Sequence, residues 1–160
     1  MQHCFPPVTR PDTRLLLLGS LPGAMSLAAQ RYYANPRNQF WKLAGAVIGS
    51  DLEALPYERR LEALLGARLG LWDTVAAANR KGSLDQDIRL HEASDLAGLA
   101  ATLPDLRAIG FNGGKSAAIG RRQLGSRADL ALISLPSSSP AFTLPFEAKL
   151  ERWLELKRFL

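Results

Sequence analysis

Among the 160 residues there is one cysteine, Cys4, and there are two histidines, His3 and His91. A lone cysteine excludes an internal disulfide, and these three residues form no cluster with zinc or iron–sulfur ligand spacing. A magnesium ion held by carboxylates is a separate question that the count leaves open. Long apolar runs are missing too. Runs such as residues 15–18 and 97–101 fall far short of the roughly 18 needed to cross a bilayer. The opening MQHCFPPVTRPD is broken by prolines and has no apolar centre, so it does not read as a secretory leader, and cytoplasmic residence is the default expectation. Internal repeats, low-complexity tracts and long linkers are absent as well.

What is present suits one globular domain spanning 1–160, with 47% apolar and 22% charged residues. The net charge is +5, but its distribution says more than its size: residues 1–42 carry +4, residues 43–104 carry −3 and residues 105–160 carry +4. A fold that joins the two ends would concentrate positive potential on one face, as a phosphate-tracking surface requires.

Residues 14–19 (RLLLLG) form a continuous apolar run closed by glycine, the pattern of a strand buried on both faces. Residues 68–73, 106–111 and 130–135 repeat it, and helix-like patterns lie at 40–48, 56–65, 94–103, 115–124 and 146–159. The alternation predicts an α/β fold, a three-layer α/β/α sandwich on a central parallel sheet of four strands. Each strand runs into a turn, GSLPG, DTVAAANRKGS, NGGKS or PSSSP. Ligands of open α/β sheets bind beyond the carboxyl ends of the strands, so these turns are where chemistry is expected.

Each turn has two readings. Gly19, Ser20, Leu21, Pro22 and Gly23 are a plain strand-to-helix turn or the wall of a site. Tyr32 to Trp41 reads YYANPRNQFW, a composition suited to stacking on a flat ring and bonding its edges. In the plainer reading Asn38 caps a helix and Phe40 and Trp41 enter the core, a role accepted for Trp41. Residues 110–116, GFNGGKS, are one residue short of a phosphate-binding GxxxxGK[ST] loop, so nucleotide-triphosphate binding is a competing reading. In LPSSSPA the hydroxyls of Ser137, Ser138 and Ser139, with Pro140, suit contacts to successive phosphates. Phe142 is either a wedge between base pairs or a core residue. A serine-hydrolase reading finds no GxSxG elbow.

GSLPG followed by YYANPRNQFW resembles the first signature of the uracil-DNA glycosylase superfamily, in the branch holding mismatch-specific uracil and thymine glycosylases and hypoxanthine-DNA glycosylases. RLGLWDTVAAANRKGSLDQDI, IGFNGGKSA and LPSSSPA are similar to the hypoxanthine branch, and the likeness covers roughly residues 14–145. The resemblance implies an enzyme that extrudes a damaged nucleotide, holds the base in a pocket and hydrolyses the N-glycosidic bond without metal or organic cofactor. Its partner would be double-stranded DNA carrying a deaminated base, hypoxanthine before uracil, and the enzyme would be a monomer away from membranes.

By the same resemblance Asn38 is the catalytic carboxamide and Asn112 the second choice. Leu21 stands where the mismatch-uracil branch has a water-positioning asparagine. Tyr33 stacks on the base in a pocket lined by Gly19, Ser20, Leu21, Pro22, Gly23, Asn35, Pro36, Phe40 and Gly113. Arg37, Lys115, Ser137, Ser138, Ser139 and Pro140 face the DNA. Asn35 replaces a family histidine, Ser138 stands where threonine is commoner, and Phe142 stands where asparagine is commoner. Asp73, Asp85 and Asp87 are candidate carboxylates for the attacking water or solvated loop acids. Arg121, Arg122, Arg127, Lys149, Arg152, Lys157 and Arg158 are phosphate contacts or an outer charged face, and Glu151 and Glu155 at helical spacing favour surface ion pairs in the terminal group. A module that binds DNA without cutting it is the rival from another class.

Overall fold

The computed structural model describes residues 2–3, 5–80 and 88–160, with residues 2–3, 77–80 and 88–92 described as backbone alone. Asp85 and Asp87 lie outside the described residues.

Four strands, β2 (Leu15–Gly19), β3 (Leu69–Asp73), β6 (Ala108–Asn112) and β7 (Ala131–Leu135), make one parallel sheet in the order β3-β2-β6-β7. β2 and β6 lie inside the sheet, and both are buried along their whole length, which is why they are written as uninterrupted apolar runs. Successive residues alternate between two cores. Leu15 and Leu17 pack with α2 (Phe40–Ile48), α3 (Tyr57–Gly66) and α6 (Phe146–Leu154) on one face. Leu16 and Leu18 pack with α4 (Leu96–Ala101) and α5 (Gly114–Leu124) on the other. The three layers expected from the sequence are therefore present.

Val8 exchanges two 2.9 Å backbone bonds with Leu71 on the β3 edge. On the β7 edge the Arg121 guanidinium donates to the Leu132 carbonyl at 3.1 Å and to Ser134 Oγ at 3.0 Å, so one edge carbonyl is taken and a charge stands beside it, which discourages pairing with another strand.

The sequence reading takes DTVAAANRKGS as a turn, whereas Val75–Arg80 forms a strand, β4. It pairs antiparallel with β1 (Gln2–His3) and β5 (Ile88–Ala93) in a small second sheet. Tertiary pairing overrides the weak strand preference of three consecutive alanines. A six-residue helix, α1 (Ala24–Ala29), is likewise additional, and the last predicted helix ends at Leu154 before a 3-10 turn over Glu155–Phe159. No helix among the described residues is long and apolar enough to cross a membrane.

Candidate active site

β2, β3, β6 and β7 end at Gly19, Asp73, Asn112 and Leu135, and a cavity of about 510 Å³ opens beyond those ends. Its walls come from every predicted segment: the GSLPG turn, Tyr33 with Asn35 and Asn38, Asp73, Asn112, and residues 137–142. The basic first and last thirds of the chain thus meet around one opening.

Tyr33 is held on several sides. Its ring stacks on Phe40 with centroids 3.9 Å apart and planes 3° from parallel, its carbonyl accepts from Trp41 Nε1 at 3.1 Å, and its hydroxyl accepts from Asn112 Nδ2 at 3.3 Å. The backbone there has φ 52°, a left-handed conformation that costs a bulky residue about 1–3 kcal/mol and is kept only where the surroundings impose it. Gly19 makes room for this arrangement. A Cβ at that position would lie 2.7 Å from Asp73 Oδ1 and 3.0 Å from Tyr33 Oη, so any side chain would displace both.

Asn38 sits just before α2. Its Oδ1 accepts from the Phe40 backbone N–H at 2.9 Å and from the Ser138 hydroxyl at 2.7 Å. A backbone N–H can only donate, which fixes the oxygen end of the carboxamide toward the helix. Asn38 thus precedes Gln39, the N-cap of α2, and its side chain accepts from the first helical N–H while also lining the cavity. With Oδ1 carrying two bonds, what remains is Nδ2, which has no partner among the described residues.

Asn112 is arranged differently. Its Oδ1 accepts from the Ser138 backbone N–H at 2.8 Å, and its Nδ2 donates to Ser138 Oγ at 2.9 Å and to Tyr33 Oη at 3.3 Å. Both amide hydrogens are thereby spent inside the protein. Ser138, grouped with the DNA-facing residues in the sequence reading, is 1% exposed and joins the two asparagines. It takes a hydrogen bond from Asn112 and passes one to Asn38.

Asp73 is buried at the cavity wall and is the one carboxylate among the described lining residues. Phe40 is fully buried and supports Tyr33 from behind instead of lining the cavity. Pro36 and Gly113 are also outside the lining, Gly113 (φ 97°) serving as the N-cap of α5. Arg37 and Pro140 are exposed, and Lys115, Ser137 and Ser139 half-buried. The loop hydroxyls of Ser137 and Ser139 accept from the backbone N–H groups of Ser139 and Ala141. Trp41 lies in the core, and Arg152 pairs with Glu155 at 3.6 Å on the surface.

The phosphate-loop alternative fails on its hydroxyl. Ser116, which would have to hold a nucleotide's magnesium ion, is fully buried and donates to the Leu18 carbonyl at 2.7 Å. For one residue the burial was missed: Lys149, expected as a phosphate contact or part of an outer charged face, is 1% exposed and reaches the site loops from below. Its neighbours in α6, Glu147, Glu151 and Arg152, are exposed, so helical periodicity was the available signal for its burial.

The parallel sheet flanked by helices agrees with what comparison with known proteins finds. Residues 6–157 match the Uracil DNA glycosylase superfamily, and the chain belongs to that family. It is a DNA glycosylase, a hydrolase whose substrate is DNA. Over 112 residues it is 46% identical to a hypoxanthine DNA glycosylase of Methanosarcina acetivorans and 44% identical to one of Methanosarcina barkeri, covering 70% of this chain and 71% of each relative. The solution NMR structure of a candidate uracil DNA glycosylase from Methanosarcina acetivorans superposes with a TM-score of 0.85 at 38% identity, over 98% of this chain and 96% of that one.

Proposed function

We propose that this enzyme removes hypoxanthine from double-stranded DNA and leaves an abasic site, working as a cytoplasmic monomer. The observation carrying the mechanism is the state of Asn38, whose oxygen is fully engaged and whose amide hydrogens are available at the cavity. A cavity near 510 Å³ falls within the roughly 300–1,000 Å³ of small-ligand sites, which suits one swung-out nucleotide.

The extruded base lies on the face of Tyr33 turned away from Phe40, and that stacking contributes about 1–3 kcal/mol. As the glycosidic bond lengthens, negative charge collects on the departing purine and positive charge on the sugar. Asn38 then acts as a donor to the base. An N–H directed at the attacking water would occupy the water's lone pair and weaken it as a nucleophile, so water is oriented by an acceptor, Asp73. Neither step needs a proton transfer from Asn38, and preorganised donors of this kind are worth about 10²–10³ in rate. Asn112, with both amide hydrogens committed to Tyr33 and Ser138, positions those two groups. The exposed Arg37 and Pro140 and the half-buried Lys115, Ser137 and Ser139 face the phosphates.

The test is a panel of matched duplexes carrying deoxyinosine or deoxyuridine, scored as abasic sites cleaved by alkali. Preferential cutting at deoxyinosine is expected. Exclusive cutting at deoxyuridine would select the uracil reading, which likeness to the candidate uracil DNA glycosylase structure favours. Retardation on a gel with no cutting at either base would leave a DNA-binding module.

A further inference from the structure

The least expected side chain in the molecule is Lys149. It is 1% exposed, it is the fourth residue of α6, where the helix dipole disfavours a cation, and no carboxylate of the described residues pairs with it. Burying an ammonium group without a counter-charge is costly, so acceptors must offset it. Three groups surround it. Nζ donates to Gln39 Oε1 at 2.9 Å and to the Ser139 carbonyl at 3.2 Å, and it lies 5.5 Å from the centroid of the Phe142 ring.

Each of these groups belongs to a segment that forms the cavity. Gln39 follows Asn38, and its backbone N–H donates to the Ser138 carbonyl at 3.0 Å. Ser139 follows Ser138, whose hydroxyl bonds Asn38 Oδ1. Lys149 therefore bridges, from beneath, the same two loops that the Asn38–Ser138 contact joins at the cavity. The third neighbour, Phe142, is 45% exposed and lines the cavity mouth, so the cation also holds an apolar ring at the place where a duplex would arrive.

We propose that Lys149 is a positioning residue for base excision: it locks the 137–142 loop to the Asn38–Gln39 turn, so that the Asn38 carboxamide and the Phe142 ring are held in register before DNA binds. For its effect on catalysis this rests on the glycosylase reading above, with Asn38 as the donor. The lock itself does not.

Replacing Lys149→Met keeps the length and apolar stem while removing the donors. Single-turnover cleavage of a deoxyinosine duplex at saturating enzyme is expected to slow about 10- to 100-fold, the scale of a roughly 1 Å misplacement. The dissociation constant for the duplex should change little by comparison, and amide hydrogen exchange at Gln39 and Ser138 should accelerate. Gln39→Met, which removes one acceptor and spares the lysine, should likewise slow cleavage and accelerate exchange at positions 39 and 138 with little change in the dissociation constant, and serves if the first variant does not fold. A wild-type cleavage rate in the folded Lys149→Met protein would overturn the proposal. A salt dependence of DNA binding shallower by about one counterion would also overturn it, because Lys149 would then be a phosphate contact. Should the wild type cut neither deoxyinosine nor deoxyuridine, the glycosylase reading fails while the exchange measurement still decides the lock, unchanged protection at both amides refuting it.

Discussion

Asn38 and Asn112 carry the same carboxamide and share Ser138 as a neighbour, yet the two surroundings leave them with opposite capacities. Asn38 is half-buried, receives two hydrogen bonds on its oxygen, and keeps its donors toward the cavity. Asn112 is buried at the end of β6 and spends its donors on Tyr33 and Ser138. Residue type alone would give them equal claim to the reaction. Who already occupies each lone pair and each hydrogen separates them: under the proposed mechanism Asn38 acts on the substrate and Asn112 holds its neighbours in place.

The comparison is broken most decisively by Asn38→Ala. Loss of about 10²–10³ in the single-turnover cleavage rate is expected, with only about 1 kcal/mol of stability lost from the uncapped Phe40 N–H. Near-normal turnover would transfer the chemistry to Asp73 or Asn112. Asn112→Ala should show the reverse balance. It strands the buried Ser138 N–H, a cost of about 1–3 kcal/mol in urea unfolding, and slows cleavage less than Asn38→Ala does. A stability equal to wild type would sink the positioning role.

Gly19→Ala sharpens the same contrast from the far wall. The new methyl must push Asp73 and Tyr33 aside, so destabilisation of about 1–3 kcal/mol is expected by thermal melting, together with weaker duplex binding. Tyr33→Leu should weaken binding to a duplex bearing a non-cleavable deoxyinosine analogue by about 1–3 kcal/mol, while Tyr33→Phe keeps most of it. Equal affinities for the leucine variant and wild type would remove the stacking role.

The smallest effect concerns Lys149, whose ammonium burial lowers below the ordinary 10.5. The unfolded chain holds that proton to higher pH than the native one, so stability rises as pH climbs between the two values. The difference in urea unfolding between wild type and Lys149→Met should therefore grow in favour of wild type across that interval. No change with pH would mean the group is better solvated than its burial implies.

Much of this arrangement was legible in the chain. The two inner strands declare themselves because a strand buried on both faces has no polar residue to place, whereas β7, half-buried with Ser134 exposed, is legible only as a repeat of that style, and the cavity then falls at the turns that follow the strands. Val75–Arg80 was hidden because alanines carry little strand signal without a partner to pair with. The different hydrogen bonding of Asn38 and Asn112 was hidden for a deeper reason. It depends on contacts spanning 26 and 100 residues, from Ser138 back to each asparagine, and no local pattern records which donor is already taken. Lys149 was grouped as a phosphate contact or outer-face charge on residue type, although its helical spacing to the buried Trp153 and Leu156 sets it on the inward face.

Tyr33, Asn112, Ser138 and Asn38 are joined to one another by hydrogen bonds internal to the protein. An enzyme that arrives with its grip already set has little rearrangement of its own to wait for. Under the proposed mechanism the pace of excision would then fall to the duplex, and poorly paired bases, which leave the stack most readily, would be handed over first.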